Sequence, residues 1–134
     1  MYEYRIKEVV KIVDGDTIDI IIDLGFSLTK KERVRLAGID TPETRTKNLE
    51  EKKLGIDAKE FVTRRLSDGE PSGLRVKTEK DGKYGRMLGW IFIGQTNFNE
   101  EMIYRGYAWK YKGGSKNMDL DELRARRGIK NESN

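Results

Sequence analysis

The chain has 134 residues, 36% hydrophobic and 37% charged, which suits one modest core under an ionic surface and leaves no room for a second core of ordinary size. Its 27 Lys and Arg stand against 23 Asp and Glu, a formal charge of +4, and this mildly favours polyanionic partners such as nucleic acid. It has no His and no Cys. That excludes Ser-His-Asp and Cys-His nucleophiles, His general acids, haem, iron–sulfur clusters and ordinary zinc sites, so any metal must be a hard cation held by oxygen.

Tyr4 to Val13 and Thr17 to Leu24 are rich in Val and Ile and flank Asp14-Gly15-Asp16, which predicts two strands joined by a tight turn. Ser27 to Glu32 reads as a polar connection. Arg33 to Ile39 alternates and predicts a third strand, with Arg33 and Arg35 on the face opposite Val34 and Leu36. Thr44 to Lys53 reads as a charged loop with nothing to bury. Leu54, Ala58, Phe61, Val62 and Leu66 then fall at helical spacing and predict an amphipathic helix that ends before Ser67 and closes one end of the sheet.

Leu74 to Thr78 and Arg86 to Ile93 predict two more strands around a turn from Glu79 to Gly85. Asn97 with Glu100 forms a capping-box pair for a short helix ending at Gly106, and a last helix runs from Leu120 to Arg127, stopped by Gly128. Five strands, one helix inserted after the third and helices at the end predict an α+β, mainly β fold, a five-stranded Greek-key barrel of OB type with about three helices. Residues 1–129 are expected to form one domain and 130–134 a disordered tail. No apolar run opens the chain, and no stretch approaches the roughly 20 apolar residues of a spanning helix. No membrane association is expected. Without an export signal in this chain, the expectation is a cytoplasmic or phage-encoded protein, or the processed form of a secreted one.

Asp14-Gly15-Asp16-Thr17 suits a hairpin turn, with Gly15 free to take a positive φ. Asp40-Thr41-Pro42-Glu43 suits a helix start. Both clusters lie on consecutive parts of one predicted sheet, with Arg35 five residues before Asp40 on the same strand. An arginine there is costly to bury without an anion, so Arg35 should meet either these carboxylates or a phosphate from outside. Lys83-Tyr84-Gly85-Arg86 adds a second arginine at the start of the last strand, or is an ordinary polar turn. From Met102 to Met118 there is no acid, and Arg105, Lys110, Lys112 and Lys116 alternate with Tyr104, Tyr107, Trp109 and Tyr111. Such cations and rings suit single-stranded nucleic acid; the competing reading puts Tyr107 or Trp109 in the core.

Val13 to Thr17, Arg33 to Glu43 and Lys83 to Arg86, in this order and with a Leu-Gly-Ile-Asp-Ala-Lys-Glu-Phe helix between the second and third, resemble the staphylococcal nuclease (thermonuclease) family over about residues 5–112. The resemblance implies a calcium-dependent phosphodiesterase on an OB barrel, a monomer with DNA and RNA as substrates and 3′-phosphate and 5′-hydroxyl products. It implies Asp16, Asp40 and the Thr41 carbonyl as Ca²⁺ ligands with Asp14 behind them, and Glu43 as general base. Arg35 and Arg86 would grip the scissile phosphate. Lys83 and Tyr84 would lie near a terminal phosphate, and Tyr111 would stack on a base. The alternative is a catalytically inactive OB-fold module that binds nucleic acid. The connection from Leu24 to Arg33 is longer than the family pattern, and the final helix lacks the usual terminal tryptophan.

Overall fold

The computed structural model describes residues 2–69, 73–81, 86–111 and 119–128. The expected tail at 130–134 lies outside them. The elements in chain order are β1 (Tyr2–Asp14), β2 (Thr17–Gly25), β3 (Leu28–Leu36), β4 (Ile39–Asp40), α1 (Leu49–Gly69), β5 (Leu74–Asp81), β6 (Met87–Ile93), β7 (Thr96–Asn97), α2 (Phe98–Tyr104), β8 (Trp109–Lys110) and α3 (Leu120–Arg127). The sheet runs β3-β2-β1-β5-β6-β7, and β3 pairs with β6 in parallel to close the first five strands into a barrel. This is the expected five-stranded barrel with three helices. None of the helices among the described residues is long and apolar enough to cross a membrane.

Strand alternation builds the core. On β2, Ile18, Ile20 and Ile22 face inward and are buried, each contributing about 1.5–3 kcal/mol. β1 serves two neighbours, β2 along most of its length and β5 at its start, and three register shifts against β2 give it the bend this requires. All five residues of the predicted α1 stripe, Leu54, Ala58, Phe61, Val62 and Leu66, are buried. Barrel closure needs Gly89, where a Cβ would stand 2.8 Å from a Val76 methyl and 3.2 Å from a Val34 methyl.

Several boundaries differ from expectation, each for a physical reason. Ser27 to Glu32 is strand rather than connection. β2 and β3 continue past the core as a two-stranded ribbon whose residues are mostly exposed, and hydrophobic patterning carries no signal where neither face is buried. Its tip holds Phe26 and Ser27 at φ of 54° and 64°, with the Phe26 ring fully exposed. α1 begins at Leu49, five residues early, because the Asn48 side chain accepts hydrogen bonds from the N–H groups of Glu50 and Glu51. It also runs to Gly69, past the expected stop, and β5 extends to Asp81. The α2 cap is as expected, with Asn97 accepting from the Glu100 N–H, and α3 ends at Gly128 in the left-handed region.

On the outer face of β2, Asp19 receives two hydrogen bonds from Arg33, at 2.8 and 3.1 Å. That pairing holds the Asp19 carboxyl below its ordinary value against the opposing effect of burial. A depressed carboxyl contributes stability above its unfolded value and loses it as pH falls through the folded one. Asp19→Asn should therefore lower stability near neutral pH and leave an acid limb shallower than that of the parent. Urea titrations at pH steps from about 7 down to about 2.5 would check this, and parallel curves would remove the pair from the acid response.

Candidate active site

The β1–β2 turn places Asp14 and Asp16 at one end of the barrel. Gly15 does not take a positive φ there. It is needed for close approach, since a Cβ would stand 3.0 Å from both the Ala58 Cβ and a Thr41 methyl. The strand expected from Arg33 to Ile39 stops at Leu36. Ala37 and Gly38, the latter at φ 78°, turn the chain into β4, which pairs with β8 instead. A continuous strand would hold residues 35 and 40 about 17 Å apart on opposite faces. The turn brings the Asp40 Oδ1 to 2.9 Å from Arg35 Nη2.

The same nitrogen lies 3.7 Å from Asp16 Oδ2, so one guanidinium draws two carboxylates together. Of the two expected partners for Arg35, the carboxylates are present. Arg35 Nη1 also donates to the Leu36 carbonyl at 2.7 Å, which fixes the plane of the group. The Thr17 hydroxyl donates to Asp16 Oδ1 and that of Thr44 to Asp14 Oδ1, both at 3.0 Å.

Asp14, Asp16, Arg35, Asp40, Thr41 and Glu43 line one cleft of about 260 Å³ together with Arg86. Arg35 and Arg86 also line an adjoining groove of about 430 Å³, where Tyr111 stands half exposed and donates its backbone N–H to the Gly38 carbonyl. Lys83 and Tyr84 lie outside the described residues, as do Lys112 and Lys116. The other rings of the expected nucleic-acid stretch divide. Trp109 is buried with its Nε1–H on the Asp119 carbonyl at 2.8 Å, and Tyr107 stacks on Phe61 with centroids 4.1 Å apart. Both pack inward, so only Tyr111 of these rings reaches the groove beside Arg35 and Arg86.

Two residues of α1 hold Glu43, and the charged-loop reading passed over the first of them. Glu51 is buried, and its Oε2 accepts the Glu43 backbone N–H at 3.0 Å. In a capping box the third helical residue reaches back to the cap; here it reaches five residues further, to Glu43. Asn48 followed by Glu51 was the available signal. At Gly55 a Cβ would stand 2.6 Å from the Glu43 carbonyl oxygen and 2.7 Å from that of Pro42, so α1 and the loop touch backbone to backbone.

A hard divalent cation fits the donor set at this cleft. The donors are oxygen only, Asp16 and Asp40 converge closely enough to share one guanidinium nitrogen, and neither His nor Cys exists in the chain to favour a softer metal. No group of three or more acids forms a ready cation cage among the described residues. Two carboxylates, a backbone carbonyl and water would make up the shell, which suits the loose coordination of Ca²⁺.

The family model of the staphylococcal nuclease homologues matches residues 33–128. The chain belongs to the staphylococcal nuclease family. It is 35% identical over 101 residues to a thermonuclease of Staphylococcus hyicus, covering 75% of this chain and 56% of that protein. It is 36% identical over 98 residues to a thermonuclease of Staphylococcus intermedius, covering 73% and 55%. It is 30% identical over 122 residues to the endonuclease YncB of Bacillus subtilis, covering 87% and 56%. The chain spans a little over half the length of these relatives. The matched region contains the end of β3 from Arg33, the Asp40 to Glu43 loop, α1 and Arg86, so the family match covers most of the cleft while Asp14 and Asp16 precede it.

An alanine in place of a helical glycine ordinarily stabilises by up to about 1 kcal/mol. Gly55→Ala should do the reverse, lowering Tm because the Pro42–Glu43 backbone must move away from the helix. A raised Tm would show that the loop yields without cost.

Proposed function

We propose that this protein is a calcium-dependent phosphodiesterase that hydrolyses DNA and RNA with little sequence preference and leaves 3′-phosphate and 5′-hydroxyl ends. One observation carries the reading: a single cleft is lined by two paired carboxylates, the exposed carboxylate of Glu43 and two guanidiniums. A packing role accounts for one arginine between two acids but not for a second arginine and a third acid at the same opening. The thermonuclease and endonuclease relatives support the same reading.

A phosphodiester in the cleft would face Arg35 and Arg86, whose fixed charges offset the negative charge that builds on its oxygens during attack. Glu43 takes the proton from the attacking water, on the face opposite the departing 5′-oxygen. Asp16, Asp40 and the Thr41 carbonyl would hold Ca²⁺, which when bound draws charge from the phosphate and makes nearby water more acidic. Asp14, with the Thr44 hydroxyl on one oxygen, braces this group from behind. Tyr111 offers a ring to a base across the arginines, and Lys83 and Tyr84 are assigned to a terminal phosphate. With no His in the chain, the proton for the leaving oxygen comes from water or a guanidinium, and Arg86 is the candidate.

Digestion of plasmid and RNA should require Ca²⁺ and stop in excess chelator, with the circular dichroism spectrum unchanged. In the same assay Glu43→Gln should lower turnover by about 10²–10⁴-fold with little change in nucleotide affinity. Full activity in chelator would sink the metal assignment, and an unaffected Gln variant would remove Glu43 as base.

The direction of attack also sets the ends of the products. DNA fragments from a limit digest should accept label from polynucleotide kinase without prior phosphatase, because the 5′-oxygen leaves. Fragments bearing 5′-phosphate would place the attacking water on the other face.

A further inference from the structure

Residues of α1, α2 and α3 and of the turn after α2 line a depression of about 530 Å³ that shares no lining residue with the cleft. Its floor is aromatic, formed by the stacked rings of Phe61 and Tyr107. Its rim is cationic. Arg64, Arg105, Arg126 and Arg127 all line it, and no acid does among the described residues. The guanidinium carbons of Arg64 and Arg105 lie 5.6 and 5.8 Å from the Phe61 centroid, and that of Arg127 lies 4.5 Å from the Tyr107 centroid.

Carboxylates behind the rim do not balance these charges. Arg127 Nη1 pairs with Asp57 at 3.2 Å, Arg126 with Glu122 at 3.2 Å and Arg105 with Glu101 at 3.7 Å. Glu101 is already engaged at 2.8 Å by both donors of Arg65, so Arg105 has only the longer contact to it. Arg127 is the strongest sign of a missing partner. Its side chain is only 8% exposed, and its Nε and Nη2 are buried with no hydrogen-bond acceptor among the described residues. Buried guanidinium donors without acceptors are costly, and an anion lodged in the depression would offset that cost after a small shift of the side chain.

A groove over α1 shares a residue with the depression and is hydrogen-bonded to a residue of the cleft. Arg64 also lines a shallow groove over α1 shared with Thr44, Lys59 and Glu60, and Thr44 holds Asp14 of the cleft at 3.0 Å. From Ile56 to Arg64 this path runs about 12 Å along the helix axis, a few phosphate spacings of a stacked strand. Cations that track a backbone and flat rings that accept bases are what a single strand requires. Tyr104, 80% exposed at the rim, provides a further ring.

We propose that this arginine-lined depression is a second binding site for the phosphodiester backbone of single-stranded nucleic acid, reached over α1 by the same strand whose scissile phosphate lies in the cleft. That one strand reaches both sites rests on the nuclease reading; binding in the depression does not. Long strands then bind at two places and short ones at one.

The test uses Arg64→Ala/Arg105→Ala, both exposed residues outside the cleft, with thermal unfolding to confirm the fold. Binding is read in chelator by fluorescence anisotropy, with a labelled dinucleotide and a single-stranded DNA of about 20 nucleotides. The long strand should lose about tenfold in affinity, and its salt dependence should become shallower by the phosphates released, about 0.7 in slope for each. The dinucleotide should bind as before. Unchanged binding of the long strand, or equal losses for both lengths, would overturn the second site. Digestion by the parent protein separates the two readings: cleavage with an unaffected double variant rejects the depression alone, and length-dependent binding without any cleavage rejects the nuclease alone.

Discussion

Closure of the barrel between β3 and β6 is the constraint on which the cleft depends. Val34, Arg35 and Leu36 pair in parallel with Met87, Leu88 and Gly89, and that pairing sets Arg86 beside Arg35 although 51 positions separate them in the chain. A side chain at Gly89 would crowd Val76 and Val34 at this seam and force them to shift. The buried amide of Asn99 reinforces the closure. Its Oδ1 accepts the Ile91 N–H, while its Nδ2 donates to the Ala37 and Gly89 carbonyls, joining α2 to both sides of the seam. Each bond of this kind adds about 1 kcal/mol net, and leaving one of these buried groups unmet costs more.

Two separate frames meet at the opening. The barrel carries Asp16 on a hairpin turn and Arg35 and Arg86 at the seam, with Asp40 folded back on Arg35 by the Gly38 turn. The helix α1 carries no group that lines the cleft, yet it grips Glu43 by its backbone through Glu51 and against Gly55. The group assigned as base is thus held by an element different from the one that holds the charge clamp. A general base must lie within hydrogen-bond reach of the water it serves, so the seating of α1 against the barrel bears directly on the chemistry assigned to Glu43.

Much of this was legible from residues alone. The stripe of α1, the Asn97 cap and the Gly128 stop are local signals, with periods and partners inside one element, and the structure reproduces them. Asp14, Asp16, Arg35, Asp40, Thr41, Glu43 and Arg86 were singled out in the sequence, and they line one opening. Other features depend on contacts between elements. Alternation cannot reveal that Gly38 ends a strand and folds Asp40 onto Arg35, and charge conceals the burial of Glu51, which is satisfied by a backbone N–H from another segment. Composition likewise could not sort Tyr107 and Trp109 from Tyr111, because all three sit in the same basic run and only the position of α3 and Phe61 separates them.

The ribbon formed by the outer parts of β2 and β3 stands apart from all of this. Thr17 lies beside the cleft and Gly25 at the far end of the same strand, about 26 Å away at the usual rise. Residues near the tip bury little and brace neither the seam nor α1. The ribbon is therefore where the scaffold can accept foreign sequence: a peptide tag, a fluorophore attachment point or a new chain break could be placed between Gly25 and Leu28, leaving the cleft at the other end undisturbed.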